Sequence, residues 1–535
     1  MLRKMIFAYR LLPCIISATI LSLSFSTLNL SYLAWIGFIP LFFTLRGKDI
    51  KEAFFLSYLC GFLFFLFSMY WLINVTLIGW IITALYQGLY FGVFGLLLSK
   101  RFSLEKSCCI SYLLLPSAWS VLEYLRSHIG GGIGWNLLAY SQYENIPIIQ
   151  IADITGVYGV SFLIILVNFA IFSAISMAIG CQKRHKRIFI KSGLSFKEEI
   201  KLNPLLQVMA VLLIIVSLSL YGYKRIEVLT TDPGEKIYIK ASIIQGNIKQ
   251  LFKWDAAHRE YILEQYRKLT IKATNDNPDI IIWPETSVPG YPDREPGLMS
   301  YIKGLSKQVG VPILIGAPLV ATEESRYGGD YNSALLFSKK GVLIRQYNKL
   351  HLVLLGEFIP LSRYFPWLYN ILPVVGRFIP GSDYTIFQLP SRKPASFSVL
   401  ICFEDIFPGL VRQFVRAGAN FMVNMTNDAW FGKTCAAYQH ASNSVFRAVE
   451  NRRPFARSAN TGLSCFIDRT GRIYSKVGSN GEDIFIEGYR TSDITFYRDA
   501  LFTFYTRFGD IFIFLCFIIV LVFLIDYIRL RKYNN

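Results

Sequence analysis

Three side chains that together could perform acyl transfer each follow a strand-like segment. Glu285 comes after Ile-Ile-Ile-Trp-Pro, Lys349 after Ile-Arg-Gln-Tyr-Asn, and Cys402 after Ser-Val-Leu-Ile. A thiol with a pKa of roughly 8.5 is only slightly ionised at neutral pH, so a neighbouring carboxylate can act as its general base. A lysine ammonium can stabilise the oxyanion of a tetrahedral acyl intermediate. The set therefore suggests a thiol nucleophile, a carboxylate base and a cationic stabiliser.

Each of the three residues also has a purely structural interpretation. Taken alone, Cys402 is typical of a small apolar residue inside a core. Glu285 fits a neighbour of a helix N-cap, and Lys349 fits a surface ammonium. Only their combination favours chemistry over structure.

The elements that must position these residues alternate between strand and helix patterns. Strands are predicted at 236–248, 279–283, 311–317, 332–337, 342–349, 397–402 and 420–424, and helices at 255–273, 298–309, 408–417 and 437–452. Several later short strands complete an α/β sandwich. Side chains from several strands converge at the ends of a rigid sheet, so the three reactive residues are expected to meet there.

Apolar stretches dominate the remainder of the chain. They are roughly 16 to 23 residues long, about what an α-helix needs to cross a hydrocarbon core. Eight membrane spans are predicted, near 10–28, 31–46, 53–73, 77–99, 107–125, 157–179, 204–222 and 508–528. The second is short and contains Pro40, so we expect it to be tilted, broken or partly buried.

These patterns predict three domains. Residues 1–223 form a transmembrane domain of seven helices, residues 224–500 an extracytoplasmic catalytic domain, and residues 501–535 a last transmembrane helix with a cytoplasmic tail. The fold class is thus a multi-pass α-helical membrane domain joined to an α/β sandwich.

Loop charges predict the orientation. The chain has 535 residues and a net charge of +19, from 55 Lys and Arg against 36 Asp and Glu. Positive residues cluster before the first span, after the second and fourth, between the sixth and seventh at 183–187, and at the C-terminus. By the positive-inside rule both termini are cytoplasmic and residues 224–507 lie on the other side. The basic cluster is then a topology signal, and no fold signature for nucleic-acid binding accompanies it.

Cysteine and histidine usage gives little support for a disulfide scaffold or a metal. Only Cys402, Cys435 and Cys465 fall in the polar domain, so at least one should remain a free thiol. The five histidines show no i, i+4 pairing and there is no CxxC motif. We therefore expect neither a metal nor another cofactor.

Longer strings resemble the apolipoprotein N-acyltransferase family, the membrane-embedded branch of the nitrilase or carbon-nitrogen hydrolase superfamily. They include Trp-Pro-Glu ending at Glu285, Tyr-Asn-Lys ending at Lys349 and Ile-Cys-Phe-Glu around Cys402. Further shared strings lie at 245–247, 253–254, 355–360, 426–432 and 452–454, and in the membrane part at 123–126 and 156–161. The resemblance implies a nitrilase-like αββα sandwich in an inner-membrane protein whose catalytic domain is periplasmic.

The resemblance also implies partners and roles. Cys402 would take an acyl chain from a membrane phospholipid as a thioester and pass it to the α-amino group of a diacylated apolipoprotein at the bilayer. Nothing in the sequence demands more than a monomer. Glu285 would be the base and Lys349 the oxyanion stabiliser. The supporting positions would be Glu357, which places the lysine and the active-site loop, the site-lining Glu404, Phe403 where the family often has Tyr, and Trp254 and Trp430, each an acyl-chain contact or a core aromatic.

Two alternatives remain open. One is a membrane-anchored amidase, with the same three residues, that releases its product to water. The other is a non-catalytic lipid-binding or transport protein, which would be expected to line a path with intramembrane charges. The apolar segment Phe358–Pro380 is interpreted as a lipid-facing lid or, alternatively, as core packing.

Overall fold

The structure is a computed structural model with two compact units. It describes residues 2–99, 108–184, 204–321, 329–354, 356–359, 365, 367, 377–389, 394–498 and 500–534. One unit comprises Met1–Glu227 with Asp510–Asn535, and the other comprises Val228–Gly509.

The first unit is helical. Its helices are α1 (Leu2–Leu23), α2 (Ile39–Leu45), α3 (Ile50–Ser68), α4 (Leu77–Leu97), α5 (Cys108–Arg126), α6 (Ile146–Ile149), α7 (Ala152–Thr155), α8 (Val157–Arg184), α9 (Pro204–Thr231, which continues to the start of the second unit) and a C-terminal helix, Ile511–Asn534. Within the described residues, four helical stretches are long and apolar enough to cross a membrane: Ile50–Ser68, Leu77–Leu97, Val157–Ile179 and Leu206–Thr231. Four further apolar stretches are shorter: Leu11–Leu23, Ser31–Leu45, Ile146–Thr155 and Ile511–Asp526. Length and composition thus single out four spans where the sequence predicted eight.

The predicted second span is broken into two pieces. A 3₁₀ turn at Ser31–Trp35 precedes α2. At the break, the Phe38 amide donates to Asn168 Oδ1 at 2.8 Å, and Asn168 Nδ2 donates to the Ala34 carbonyl at 2.9 Å. Backbone groups freed by a break in an apolar region need such partners, and one asparagine on α8 supplies both.

Helix α9 continues well beyond the predicted end of its span at residue 222. The extension carries Arg225, whose Nε lies 2.8 Å from Asp153 Oδ2, and Tyr221, just before the predicted end, donates its hydroxyl to Asp153 Oδ1 at 2.7 Å. Asp153 is buried. A buried carboxylate needs such partners, so the ion pair stabilises the helix beyond the predicted end of the span. A hydropathy pattern does not predict such a contact.

The second unit contains two six-stranded sheets. The strands are β1 (Lys236–Gln245), β2 (Ile280–Ile282), β3 (Ile313–Val320), β4 (Asp330–Phe337), β5 (Leu343–Asn348), β6 (Phe387–Leu389), β7 (Ala395–Ile401), β8 (Phe421–Thr426), β9 (Phe455–Ala459), β10 (Cys465–Ile467), β11 (Ile473–Tyr474) and β12 (Gly488–Tyr497). The orders are β12-β1-β2-β3-β4-β5 and β11-β10-β9-β8-β7-β6. The seven predicted strands are confirmed.

Each sheet has three central parallel strands with antiparallel strands at its edges. In the first sheet β1, β2 and β3 are parallel, and in the second β7, β8 and β9 are parallel. Their central strands are apolar along most of their length, as expected where both faces of a sheet are covered. The topology therefore repeats, although the sequence shows no internal repeat.

The two sheets face each other, and helices cover them. Ser458 on β9 donates its hydroxyl to the carbonyls of Ile244 and Ile282 in the first sheet, at 2.9 and 3.1 Å. Helices α10 (Arg259–Thr274) and α11 (Pro296–Val309) share a buried core with β1 to β4. Helices α12 (Pro408–Arg416) and α13 (Ala436–Asn451) belong to the second sheet, and α13 contacts β10. All four predicted helices are confirmed. A short helix, Phe504–Phe508, ends the unit.

Candidate active site

Cys402 lies in a strained turn at the end of a central strand. It directly follows β7 and opens a 3₁₀ turn, Cys402–Ile406, with a φ of 56°. A positive φ is unfavourable for a side chain of this kind and persists only where the surroundings enforce it. Asn424 on β8 supports the turn by donating to the Cys402 carbonyl at 3.0 Å. The residue is part-exposed and its thiol is not in a disulfide, so the strand end brings an unmodified cysteine to the site.

Glu404 connects this turn to the end of β5 through hydrogen bonds. Its side chain is fully buried, with one oxygen accepting from the Ile401 amide at 2.7 Å and the other from the Leu350 amide at 2.7 Å. Tyr347 also donates to it, at 2.8 Å. Burial raises the pKa of Glu404 to about 7, with Lys349 and these hydrogen bonds opposing the rise. Glu404 supports the site from within the protein instead of lining it.

Lys349 and two carboxylates form the charged part of the site. Lys349 Nζ lies 2.9 Å from Glu357 Oε1 and 3.9 Å from Glu285 Oε1, and its side chain is 1% exposed. Glu357 Oε2 also accepts from the Val353 amide at 2.8 Å, which folds the segment after β5 around the lysine. Glu285 stands just beyond β2, so the first sheet supplies both the carboxylate and the lysine.

Asn332, which the sequence placed only at the start of a strand, joins the two carboxylates. Its Nδ2 donates to Glu285 Oε1 at 2.8 Å and to Glu357 Oε1 at 3.0 Å. The Asn332 carbonyl accepts from the Lys349 amide at 2.9 Å. The side chain of this one buried residue thus sets the spacing of both acids, and its backbone carbonyl fixes the backbone of the lysine. A lone asparagine in a strand carries no signal of this role in the sequence.

The electrostatics of the site favour a charged lysine and a neutral resting thiol. Burial opposes the charge on Lys349, but Glu357 and Glu285 outweigh it and raise the pKa of the ammonium. Burial raises the pKa of the Cys402 thiol well above its usual value, with Glu285 adding to the rise and Lys349 opposing it. Thiolate formation therefore requires transfer of its proton, and Glu285 is the carboxylate that acts most strongly on the thiol.

A second charged cluster lies behind the cysteine turn. His440 on α13 sits between Asp428, at 2.7 Å, and Asp405, at 3.3 Å, and Arg457 on β9 lies 3.1 Å from Asp405. All four side chains are buried. Arg457 also donates to Asn424 Oδ1 at 3.0 Å, so this cluster holds the residue that supports the Cys402 carbonyl.

The remaining predicted site residues are placed less closely. Phe403 is part-buried, with Lys349 Nζ 5.3 Å from its ring centre. Trp254 is 48% exposed, and Trp430 is part-exposed in a 3₁₀ turn after β8. Most of the apolar segment predicted as a lid, Phe358–Pro380, lies outside the described residues.

The described part of the chain contains no group of three or more His, Cys, Asp or Glu side chains arranged to hold a metal ion. The site offers a thiol, carboxylates and a buried cation. That set is suited to acyl transfer through a covalent intermediate.

Both parts of the chain match known families. Residues 17–170 match the Apolipoprotein N-acyltransferase N-terminal domain, and residues 240–499 match the Carbon-nitrogen hydrolase family. An apolipoprotein N-acyltransferase of Geobacter metallireducens is 36% identical over 94% of this chain and 92% of the relative. One of Chlorobaculum tepidum is 29% identical over 93% and 92%. A crystal structure of an amidase from Nesterenkonia sp. is 17% identical, with a TM-score of 0.34, over 50% of this chain and 92% of that one.

The paired sheets, with Glu285, Lys349 and Cys402 at their strand ends, and the match over residues 240–499 define the second unit as a carbon-nitrogen hydrolase domain. The helical unit indicates a particular branch of this class, because it matches the N-terminal domain of the apolipoprotein N-acyltransferases. The chain belongs to the apolipoprotein N-acyltransferase family. It is therefore an enzyme, an acyltransferase.

Proposed function

We propose that this acyltransferase moves an acyl chain from a membrane phospholipid to the N-terminal amine of a diacylglyceryl-cysteine on apolipoproteins, through a thioester on Cys402. In the first half-reaction Glu285 accepts the thiol proton and the sulfur attacks the ester carbonyl. Lys349 stabilises the oxyanion. The carbon–oxygen bond then breaks, and the departing lysophospholipid takes the proton back from Glu285.

In the second half-reaction the acceptor's α-amino group attacks the thioester carbonyl. An amide bond forms, the carbon–sulfur bond breaks, and the proton released by the amine passes through Glu285 to the Cys402 sulfur. The product is a triacylated lipoprotein and the enzyme returns to its starting state. The observation that carries this proposal is the ammonium of Lys349, held at 2.9 Å from Glu357 and 3.9 Å from Glu285, where the charge of Glu285 also acts on the thiol of the strained, part-exposed Cys402.

The physics of the substrates supports a membrane enzyme for this chemistry. An acyl chain of about 16 carbons, at about 0.8 kcal/mol per buried methylene, would lose on the order of 10 kcal/mol on leaving the bilayer. The reactive thiol must therefore meet the lipid at the membrane. Four helical stretches of spanning length and apolar composition agree with that requirement.

The loop charges support an orientation for the chain. We propose that both termini are cytoplasmic and that residues 224–507 lie in the periplasm, at the inner membrane of a bacterium. Reporter fusions at residue 240 and at the C-terminus test this. A periplasmic reporter should be active only in the first fusion, and activity at the C-terminus would contradict the orientation.

The proposed chemistry can be tested on the full chain in detergent. The protein is incubated with a phospholipid of defined acyl chains, and intact mass spectrometry records the mass of one added chain. We expect the wild type to gain this mass and to lose it on hydroxylamine treatment, which cleaves thioesters. Cys402→Ala should gain none. Cys465→Ala serves as the matched control, because Cys465 is a buried thiol on β10.

The second step is tested by adding a diacylated lipopeptide to the acyl-enzyme. Transfer of the acyl mass to the peptide amine supports the proposal. Discharge to water alone would favour an amidase, and absence of any Cys402-dependent adduct would refute the thioester mechanism.

A further inference from the structure

Lys253 is a buried lysine beside the catalytic residues that the proposed mechanism does not use. It follows a 3₁₀ turn, Gln250–Phe252, and is 4% exposed. Within the described part of the chain, Lys253 Nζ donates a hydrogen bond to the Glu285 carbonyl at 3.0 Å. Burying an ammonium is unfavourable unless surrounding groups compensate. Its position next to Glu285 therefore calls for an explanation.

The segment that carries Lys253 is fixed to the second sheet. Gln250 Oε1 accepts from Asn427 Nδ2 at 2.7 Å, just beyond the end of β8. Asn460, just beyond β9, accepts from the Ile248 amide at 2.9 Å and donates to the Ile248 carbonyl at 2.7 Å. Contacts from two strand ends thus fix the segment from 248 to 253. The position of Lys253 is therefore set by the second sheet.

The backbone that Lys253 contacts is itself constrained. Thr286, the next residue, has a φ of 46°, a conformation that needs support from its surroundings. On another side Gly316 of β3 packs so closely that an added Cβ would lie 2.8 Å from the Glu285 Cα. Lys253 and Gly316 therefore both restrict the turn that aims the Glu285 carboxylate.

The charge of Lys253 interacts with both Glu285 and Cys402. Burial lowers the pKa of Lys253 to about 8, while the carboxylate of Glu285 and the thiol of Cys402 oppose that decrease. A positive charge here is favoured by a thiolate on Cys402. By reciprocity, the charge favours the thiolate.

We propose that Lys253 is a positioning residue of the acyl-transfer site: its ammonium holds the Glu285 turn and, as a second cation in contact with Glu285, favours ionisation of Cys402. This inference rests on the proposed function, because it assumes that Glu285 and Cys402 react. The two lysines have different partners: the ammonium of Lys349 contacts two carboxylates, whereas that of Lys253 contacts a backbone carbonyl.

The test measures alkylation of Cys402 by iodoacetamide as a function of pH, read from the mass of the Cys402 peptide in the full chain without lipid. Near neutral pH, where Lys253 is charged, Lys253→Gln should lower the alkylation rate about ten-fold, the change given by one unit in the thiol pKa. Lys253→Arg keeps the charge and should restore the rate near neutral pH. Lys249→Gln, on the same segment and exposed, should leave the profile unchanged.

The wild type should also show a second inflection near pH 8, where Lys253 loses its charge, and Lys253→Arg should lack it. Wild-type and Lys253→Gln profiles that coincide would overturn the inference. If Lys253→Gln does not fold, as judged by thermal unfolding, the inflection decides: its persistence in Lys253→Arg overturns the inference. Failure of the proposed function is separate, since it would appear as a wild-type enzyme that forms no acyl adduct.

Discussion

The second unit contains two clusters that are alike in charge and unlike in access. The cluster at the candidate active site, called the site cluster, has two carboxylates, Glu285 and Glu357, and two lysines, Lys349 and Lys253. The cluster behind the cysteine turn, called the inner cluster, has two carboxylates, Asp405 and Asp428, and two basic side chains, His440 and Arg457. The inner cluster is 0 to 1% exposed throughout, whereas the carboxylates of the site cluster retain 9 and 12% side-chain exposure and the site includes a part-exposed cysteine.

The two clusters also differ in the basic residues that they use. The inner cluster uses arginine, which stays protonated at any accessible pH, and it supports the cysteine turn through Asn424. The site cluster uses lysines, whose pKa values move in opposite directions, upward for Lys349 and down to about 8 for Lys253. Both of its basic groups are thus lysines, whereas the inner cluster combines an arginine with the titratable His440.

The largest effect expected on activity comes from Glu285→Gln. Glutamine has nearly the same shape and can still accept from Asn332, but it cannot take the thiol proton. We expect the rate of acyl-adduct formation to fall about 10²- to 10⁴-fold, the usual range for loss of a general base. Single-turnover mass spectrometry measures it. Glu482→Gln, which removes an exposed partner of Lys433, should keep the wild-type rate. A Glu285→Gln rate within a factor of two of wild type would remove Glu285 as the base.

Arg457→Met should break the inner cluster and destabilise the fold. The change leaves Asp405 and Asp428 buried with one cation fewer, and removing one partner of a buried ion pair typically costs about 3 to 5 kcal/mol in the free energy of unfolding. Chemical unfolding of the full chain in detergent measures the loss. Arg498→Met is the control: its exposed pair with Glu235 should contribute less than about 1 kcal/mol. Equal losses for both variants would show that the inner cluster does not hold the fold.

Asn332→Ala should weaken catalysis while leaving the chemical groups in place. Without Nδ2, the Glu285 and Glu357 carboxylates lose the donor that sets their spacing. Displacements of about 1 Å in an active site can reduce rates about 10²-fold, so we expect a decrease between ten- and a hundred-fold. The acylation rate of Asn332→Ala, compared with Asn332→Ser, measures it. A stability loss without a rate loss would place Asn332 with the structural residues.

The sequence predicted the features that depend on local residue patterns, and it did not predict those that depend on contacts between distant residues. Strands and helices of the second unit were predictable because their patterns are local, as in the all-apolar Ile280–Ile282. The positions of Glu285, Lys349 and Cys402 at strand ends were predictable because each follows such a segment. The contacts of Asn332 and His440 were not, because they join residues that lie 12 or more positions apart along the chain. The repeated sheet topology was equally hidden, since strand order leaves no local pattern.

The smallest effect, His440→Gln, concerns how the stability of the inner cluster depends on pH. Burial and Arg457 lower the pKa of His440, but Asp428 and Asp405 outweigh them and raise it. A histidine with a raised pKa stabilises the fold fully below its unfolded value of about 6.5, and the contribution is lost as the pH rises through the folded value.

Wild-type stability should therefore decline over that window, and His440→Gln should remove this part of the decline. Unfolding in urea at a series of pH values measures it. His258→Gln, which alters a part-exposed histidine paired with the half-exposed Asp255, should keep the wild-type slope. If His440→Gln kept that slope as well, His440 would be neutral between its two aspartates, and the inner cluster would carry a net negative charge behind the cysteine that must become a thiolate.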